Sequence, residues 1–206
     1  MHNKKDTDKH DKLLEHGGEK ERRADVLDEV ITDKPTYWEP KSGEGGMTEL
    51  LAAVYGGDLA EVLTVIREGA DVNVQDQSGW TALHWAADMG MANGEREEVC
   101  AALIQAGADV NVRDLEGSTP LLVACRSGNG DIVRQLVSAG ANIHAANNKG
   151  WTALIEAACY GDPRTVTFLL ECGADLTART VKGETALEKA RDYGWDEIVK
   201  ILSEQK

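Results

Sequence analysis

The chain has 206 residues, with 36 Asp or Glu against 22 Lys or Arg, a formal net charge of −14. Such an acidic surplus makes phosphate polymers and anionic membranes poor partners for the molecule as a whole, and no run of Lys and Arg marks a local exception. The longest apolar stretches are helix-length at most, too short to span a bilayer, and no apolar core of a secretory signal follows Met1-His2-Asn3-Lys4-Lys5-Asp6. Cys100, Cys125, Cys159 and Cys172 lack CxxC or zinc-ligand spacing, so reduced thiols in a cytoplasmic compartment are expected.

Residues 1–46 are dense in Lys, Asp, Glu, His and Gly and are expected to be a mostly disordered tail, since they cannot bury enough surface to offset the entropy of ordering. Within them, Val26, Leu27, Val30 and Ile31 share one face of a short helix at 24–31. Pro35 and Pro40 bracket Tyr37 and Trp38, a pair that either covers the first helices or serves as a docking peptide. The Ser42-Gly43-Glu44-Gly45-Gly46 run reads as a flexible joint.

From Met47 two phrases recur in step. Gly-Ala-Asp/Asn occurs at Gly69, Gly107, Gly140 and Gly173, and Gly-x-Thr-Ala/Pro-Leu begins at Gly79, Gly117, Gly150 and Gly183, both in steps of 38, 33 and 33 residues. A fixed period of about 33 residues means one supersecondary unit copied in tandem, each copy burying its apolar side against its neighbours. In each copy Gly supplies a turn, Thr48, Thr81, Thr119, Thr152 or Thr185 caps a first helix, and small residues such as Ala86-Ala87 and Ala157-Ala158 allow close approach. Thr185 and Glu188 form a capping-box pattern, and Pro120 occupies the first helical position. An aliphatic second helix follows and ends, in the first four copies, at a Gly suited to the left-handed conformation. The second copy carries five extra residues, placed between Gly90 and Val99, which either touch a partner or are a neutral loop.

Helix–turn–helix plus a β-turn at this period, with Thr81-Ala82-Leu83-His84 and Gly107-Ala108-Asp109-Val110-Asn111 in the best-matching copy, resembles the ankyrin repeat over about residues 47–206. Only that copy keeps the His, so the family's Thr–His bond is expected once. The resemblance implies an all-α ankyrin-repeat solenoid of about five units, caps included: 47–75, 76–113, 114–146, 147–179 and 180–206. The stack reads as complete, with no catalytic domain missing. It also implies a concave face, built of turn tips and first helices, that grips a partner protein. Transferred by position, the candidate protein-binding residues are Tyr55, Trp80, Asp88, Met89, Arg113, Arg126, Trp151, Tyr160, Arg179 and Tyr193. Exposed Trp, Tyr and Arg carry interface energy out of proportion to their number; the competing reading for Trp80 and Trp151 is that they pack over the adjacent tip. Trp85 is expected to be structural.

No constellation points to chemistry. Gly128-Asn129-Gly130 lacks the strand and third glycine of a dinucleotide site and reads as a turn. His84 and His144 fall in different phases of the repeat with no nucleophile beside them, and His2, His10 and His16 sit in the tail. Cys125 reads as core, whereas Cys159 takes the position of Arg126, where exposure is expected; an inert thiol is the reading preferred there. The expectation is thus a monomeric, non-catalytic adaptor, inhibitor or regulatory subunit without cofactor, metal, nucleic acid or membrane partner. Alternatives are a working tail on a passive stack, or an enzyme with a site on the stack.

Overall fold

The computed structural model describes residues 48–88 and 95–205. The tail, its helix at 24–31 and Met89 lie outside them. Among the described residues ten helices follow in pairs: α1 Glu49–Gly56 and α2 Leu59–Arg67, α3 Ala82–Ala87 and α4 Arg96–Gln105, α5 Pro120–Arg126 and α6 Gly130–Ser138, α7 Ala153–Tyr160 and α8 Pro163–Glu171, α9 Ala186–Asp192 and α10 Asp196–Glu204. Each first helix packs on its own second helix and on the first helices before and after it, while second helices pack in a parallel row behind. The result is an all-α solenoid with one long hydrophobic seam. Leu50, Leu83, Leu121 and Leu154, one from each of the first four first helices, are at most 2 % exposed, as are Val62, Leu103, Leu136 and Leu169 from the first four second helices. The small residues do as their size dictates: Ala86, Ala87, Ala124, Ala157 and Ala158 are sealed where first helices meet.

Caps set the helix starts. The hydroxyls of Thr48, Thr152 and Thr185 accept from the N–H of Leu51, Ile155 and Glu188 at 3.3, 3.4 and 3.3 Å, and Glu188 returns a carboxylate to the Thr185 N–H at 2.7 Å. At Thr81 the His84 imidazole plays the returning part, its Nδ1 lying 3.1 Å from the Thr81 N–H and 2.9 Å from the hydroxyl. Thr119 departs from the expected cap: its hydroxyl is buried with no hydrogen-bond partner among the described residues. The third residue after it is Leu122, which returns no polar group, and Pro120 fixes the first helical φ without help.

Between units the chain makes a tight tip whose first side chain holds it closed. Asp76 Oδ1 accepts from the N–H of Ser78 and Trp80 at 2.8 and 2.9 Å, Asp114 Oδ1 from Ser118 at 2.7 Å, and Asn147 Oδ1 from Lys149 and Trp151 at 3.0 Å each. Successive tips are stitched by backbone bonds, Leu115 N–H to Ser78 C=O, Asn148 to Glu116 and Val181 to Lys149, at 3.0, 2.8 and 2.9 Å. Gly79 and Gly150 are required there twice over: φ is +80° and +77°, and a Cβ would stand 2.9–3.0 Å from the backbone of the next tip.

Of the extra residues in the second copy, one lengthens α4 to ten residues against nine in α2, α6 and α8. Glu95, just ahead of α4, reaches back so that its Oε2 accepts from the Leu59 N–H at 3.3 Å, at the start of α2. This end of the insertion therefore braces the preceding helix pair.

Candidate protein-binding surface

Tips and first helices share one flank of the solenoid, and the positions four residues after each starting Thr correspond along it as Ala52, Trp85, Val123, Glu156 and Lys189. The flank opens with an aromatic cluster. Trp80 is only 5 % exposed: it stacks on His84 with ring centroids 6.0 Å apart and meets Trp85 edge-on at 4.9 Å. Its indole N–H donates to Asp114 Oδ2 of the next tip at 3.0 Å, and the Trp85 indole donates to Asp76 Oδ2 at the same distance. Tyr55 packs edge-on against Trp85 at 5.8 Å. Trp80 is thus tip packing rather than an exposed anchor, while Trp85 is structural as expected.

Trp151 stands in the same phrase and ends differently. It is half-buried, with the Lys189 ammonium 5.5 Å above its ring. The residue corresponding to Asp114 in the next tip is Thr180, whose hydroxyl already donates to Glu184 at 3.2 Å, so no carboxylate waits for the indole. The residues corresponding to His84 and Trp85 are Ile155 and Glu156, so no aromatic shelf covers the ring.

The remaining candidates fall on the flank in several states. Tyr55, Asp88, Arg126, Tyr160 and Tyr193 are half-buried. Asp88 accepts from the Ser127 hydroxyl at 2.8 Å, and the Tyr160 ring lies over Gly128, where a Cβ would come within 1.9 Å of it. Arg113 and Arg179 are exposed, but each also serves the scaffold: Arg113 Nη2 donates to Ala146 C=O at 2.6 Å, and Arg179 Nη1 donates to Gly183 C=O at 2.5 Å while facing Glu188 at 3.7 Å. The C-terminal end is closed by Trp195, whose ring covers Gly161 and whose N–H donates to Cys159 C=O at 2.9 Å.

Two ionisable groups under this flank carry shifted affinities for protons. His84 is fully buried, which lowers its pKa despite the Ser118 carbonyl 3.2 Å from Nε2 and the carboxylates Asp114 and Asp76 nearby. The geometry fixes one tautomer, with Nδ1 accepting from the Thr81 N–H and Nε2–H donating to Ser118 C=O. Glu156, 5 % exposed, has its pKa pushed up to about 7 by burial, with Arg126 and Lys149 opposing that shift and Glu116 adding to it. Sequence reasoning missed Glu156. Its signal was a carboxylate at a helix position that holds Val123 and Trp85 in other copies.

Cys159 corrects the expectation of exposure: it is 2 % exposed, its thiol pushed well up by burial, and Glu156 adds to the rise. It occupies the Arg126 position, but a short side chain there stays under the flank instead of reaching out of it. Burial likewise pushes Cys100 up to about 12, and Cys125 is also buried and raised; Cys172 is the exposed thiol. Among the described residues no cluster of three His, Cys, Asp or Glu side chains could hold a metal ion, and no helix is long and apolar enough to cross a membrane.

A comparison with curated proteins gave no match. A family model described as ankyrin repeats in three copies matches residues 20–114, 50–147, 89–180 and 145–206. With the tandem helix pairs, the stitched tips and the Thr81–His84 bond, these matches show that the chain belongs to the ankyrin-repeat family, whose members are generally protein–protein interaction modules.

Proposed function

We propose that this protein is a non-catalytic interaction scaffold, an adaptor, inhibitor or regulatory subunit, that holds a partner protein against the flank of tips and first helices. The observation that carries this reading is the half-exposed Trp151: a large amphipathic side chain with no carboxylate placed to take its N–H and no aromatic shelf over its ring. Rigid aromatics of this kind are where interface energy concentrates. Arg126, Tyr160 and Tyr193 extend the surface along the same flank, with Tyr55 and Asp88 at the other end and Arg113 and Arg179 at the tips; Met89 is a candidate by its position in the sequence alone. Trp80 contributes by stiffening the first tips. We further take the repeat domain to run over 47–206, and the protein to act as a cytoplasmic monomer with no nucleic-acid or membrane partner.

The test is affinity capture with the full chain followed by cross-linking mass spectrometry, repeated with Trp151→Ala and Arg126→Ala. The expected result is one partner whose cross-links map to the flank and whose capture falls in both variants while their circular dichroism is unchanged. Cross-links confined to the outer faces of α2, α4, α6 and α8 would contradict the proposal.

A further inference from the structure

A carboxyl group under the flank has no partner of its own. Glu156 is 5 % exposed, yet among the described residues its carboxyl makes no hydrogen bond and no ion pair. A buried carboxyl without a donor costs folding free energy, and the corresponding position holds Trp85 or Val123 in other copies, so the stack does not require an acid there. Cys125 on α5 and Cys159 on α7 lie near it and stay neutral, burial first and Glu156 second raising both thiols. Exposed Lys149 and Glu116 act on Glu156 with opposite sign, and Arg126 on α5 attracts it. Arg126 is half-buried and, like Glu156, forms no hydrogen bond or ion pair among the described residues. On α9, Lys189 is already engaged by Glu184 at 3.0 Å. Helices α5, α8 and α9 pack around α7, so the flank is the side from which Glu156 is reached.

Resting on the interaction reading above, we propose that Glu156 receives a Lys or Arg side chain of the partner protein, in a subsite shared with Arg126. The incoming cation donates to the Glu156 carboxylate, and a backbone carbonyl of the same segment accepts from the Arg126 guanidinium. Both unpaired groups are then satisfied, and no charge is stranded when the partner excludes water. The next copy shows the flank already holding an ammonium in this way: Lys189, at the position of Glu156, stands between the Glu184 carboxylate at 3.0 Å and the Trp151 ring at 5.5 Å. A chain of net charge −14 draws in a basic segment and repels an acidic one. Nucleic acid has no cation to offer Glu156, so the chemistry selects protein. The partner's cation holds Glu156 ionised in the complex, whereas burial in the free protein pushes its pKa up to about 7. Docking below that pH therefore releases a proton.

The experiment selects random dodecapeptides against the immobilised full chain at about pH 8, where the carboxyl is ionised, then titrates the enriched peptides by calorimetry at several pH values. Enriched sequences should share a Lys or Arg at one position. Their affinity should rise up to about tenfold per pH unit as pH approaches about 7 and level off above it, and buffers of different ionisation enthalpy should report proton release. Glu156→Gln, which keeps the side chain's shape, should weaken binding about thirtyfold and abolish both the pH dependence and the proton release, with circular dichroism unchanged. Enrichment without a basic residue, no enrichment at all, proton uptake on binding, or unchanged affinity in Glu156→Gln would overturn the proposal. Peptides lost in Trp151→Ala but not in Glu156→Gln would defeat the subsite while leaving the interaction reading in place. A partner that cross-links only to the second-helix faces would defeat that reading instead.

Discussion

The first tip interface and the last one start from the same five-residue phrase, Gly-Trp-Thr-Ala-Leu, and arrive at different physics. At Gly79–Leu83 the tryptophan is sealed between His84 and Trp85, with Asp114 taking its N–H at 3.0 Å. At Gly150–Leu154 it is half-exposed under a lysine. The difference is made elsewhere in the chain. The residue of the next tip is Asp114 in one case and Thr180 in the other, and the helix neighbours are His84 and Trp85 against Ile155 and Glu156. One tryptophan thereby becomes part of the core, and the other stays half-exposed on the flank.

That contrast breaks most visibly on truncation. Trp80→Ala should destabilise the chain by about 3–5 kcal/mol, the range for a large buried aromatic, whereas Trp151→Ala should cost about 1 kcal/mol or less; paired denaturant titrations read the gap, and equal losses would erase it. Next comes the acceptor. Asp114→Ala leaves the Trp80 indole and the Ser118 N–H without their partner, for a loss of about 1–3 kcal/mol in the same titration, while Thr180→Ala should cost less because that hydroxyl serves no indole.

The two regions also differ in their response to pH. Glu156 binds its proton more tightly folded than unfolded, so the native state holds more protons between the ordinary carboxylate pKa and about 7. Stability should therefore rise as pH falls from about 7 toward 4.5, by an amount on the order of 1–3 kcal/mol from this group, and Glu156→Gln should remove that slope. His84 acts with the opposite sign, its folded pKa being lowered, so its stabilising contribution is present above about 6.5 and lost as pH falls below it. Denaturation of Glu156→Gln and the parent at several pH values separates the two. The smallest expected effect is at Lys189. Removing it by Lys189→Ala exposes the Trp151 face and breaks the pair with Glu184, which should cost about 0.2–1 kcal/mol and vanish in high salt.

The period, the capping threonines, the positive-φ glycines and the helix pairing were all legible in the sequence, because each depends on residues a few positions apart. What depends on units stacked one on another was not. The fate of Trp80 turns on Asp114, 34 residues away. Cys159 shares the repeat position of Arg126, where the family it resembles tends to be exposed, but its short side chain stays beneath the flank and is buried. Thr119 has the residue type of a cap, but its hydroxyl makes no bond. Leu115 and Val181 were visible as tip residues, though only the structure shows how fully they protrude.

Hydrogen exchange of the full chain, alone and with its captured partner, tests the central claim most directly. The account predicts slowed exchange at the tips around Lys149–Trp151 and along α7 and α9, with the second helices unchanged. Protection confined to α2, α4, α6 and α8, with the tips exchanging as in the free protein, would contradict it.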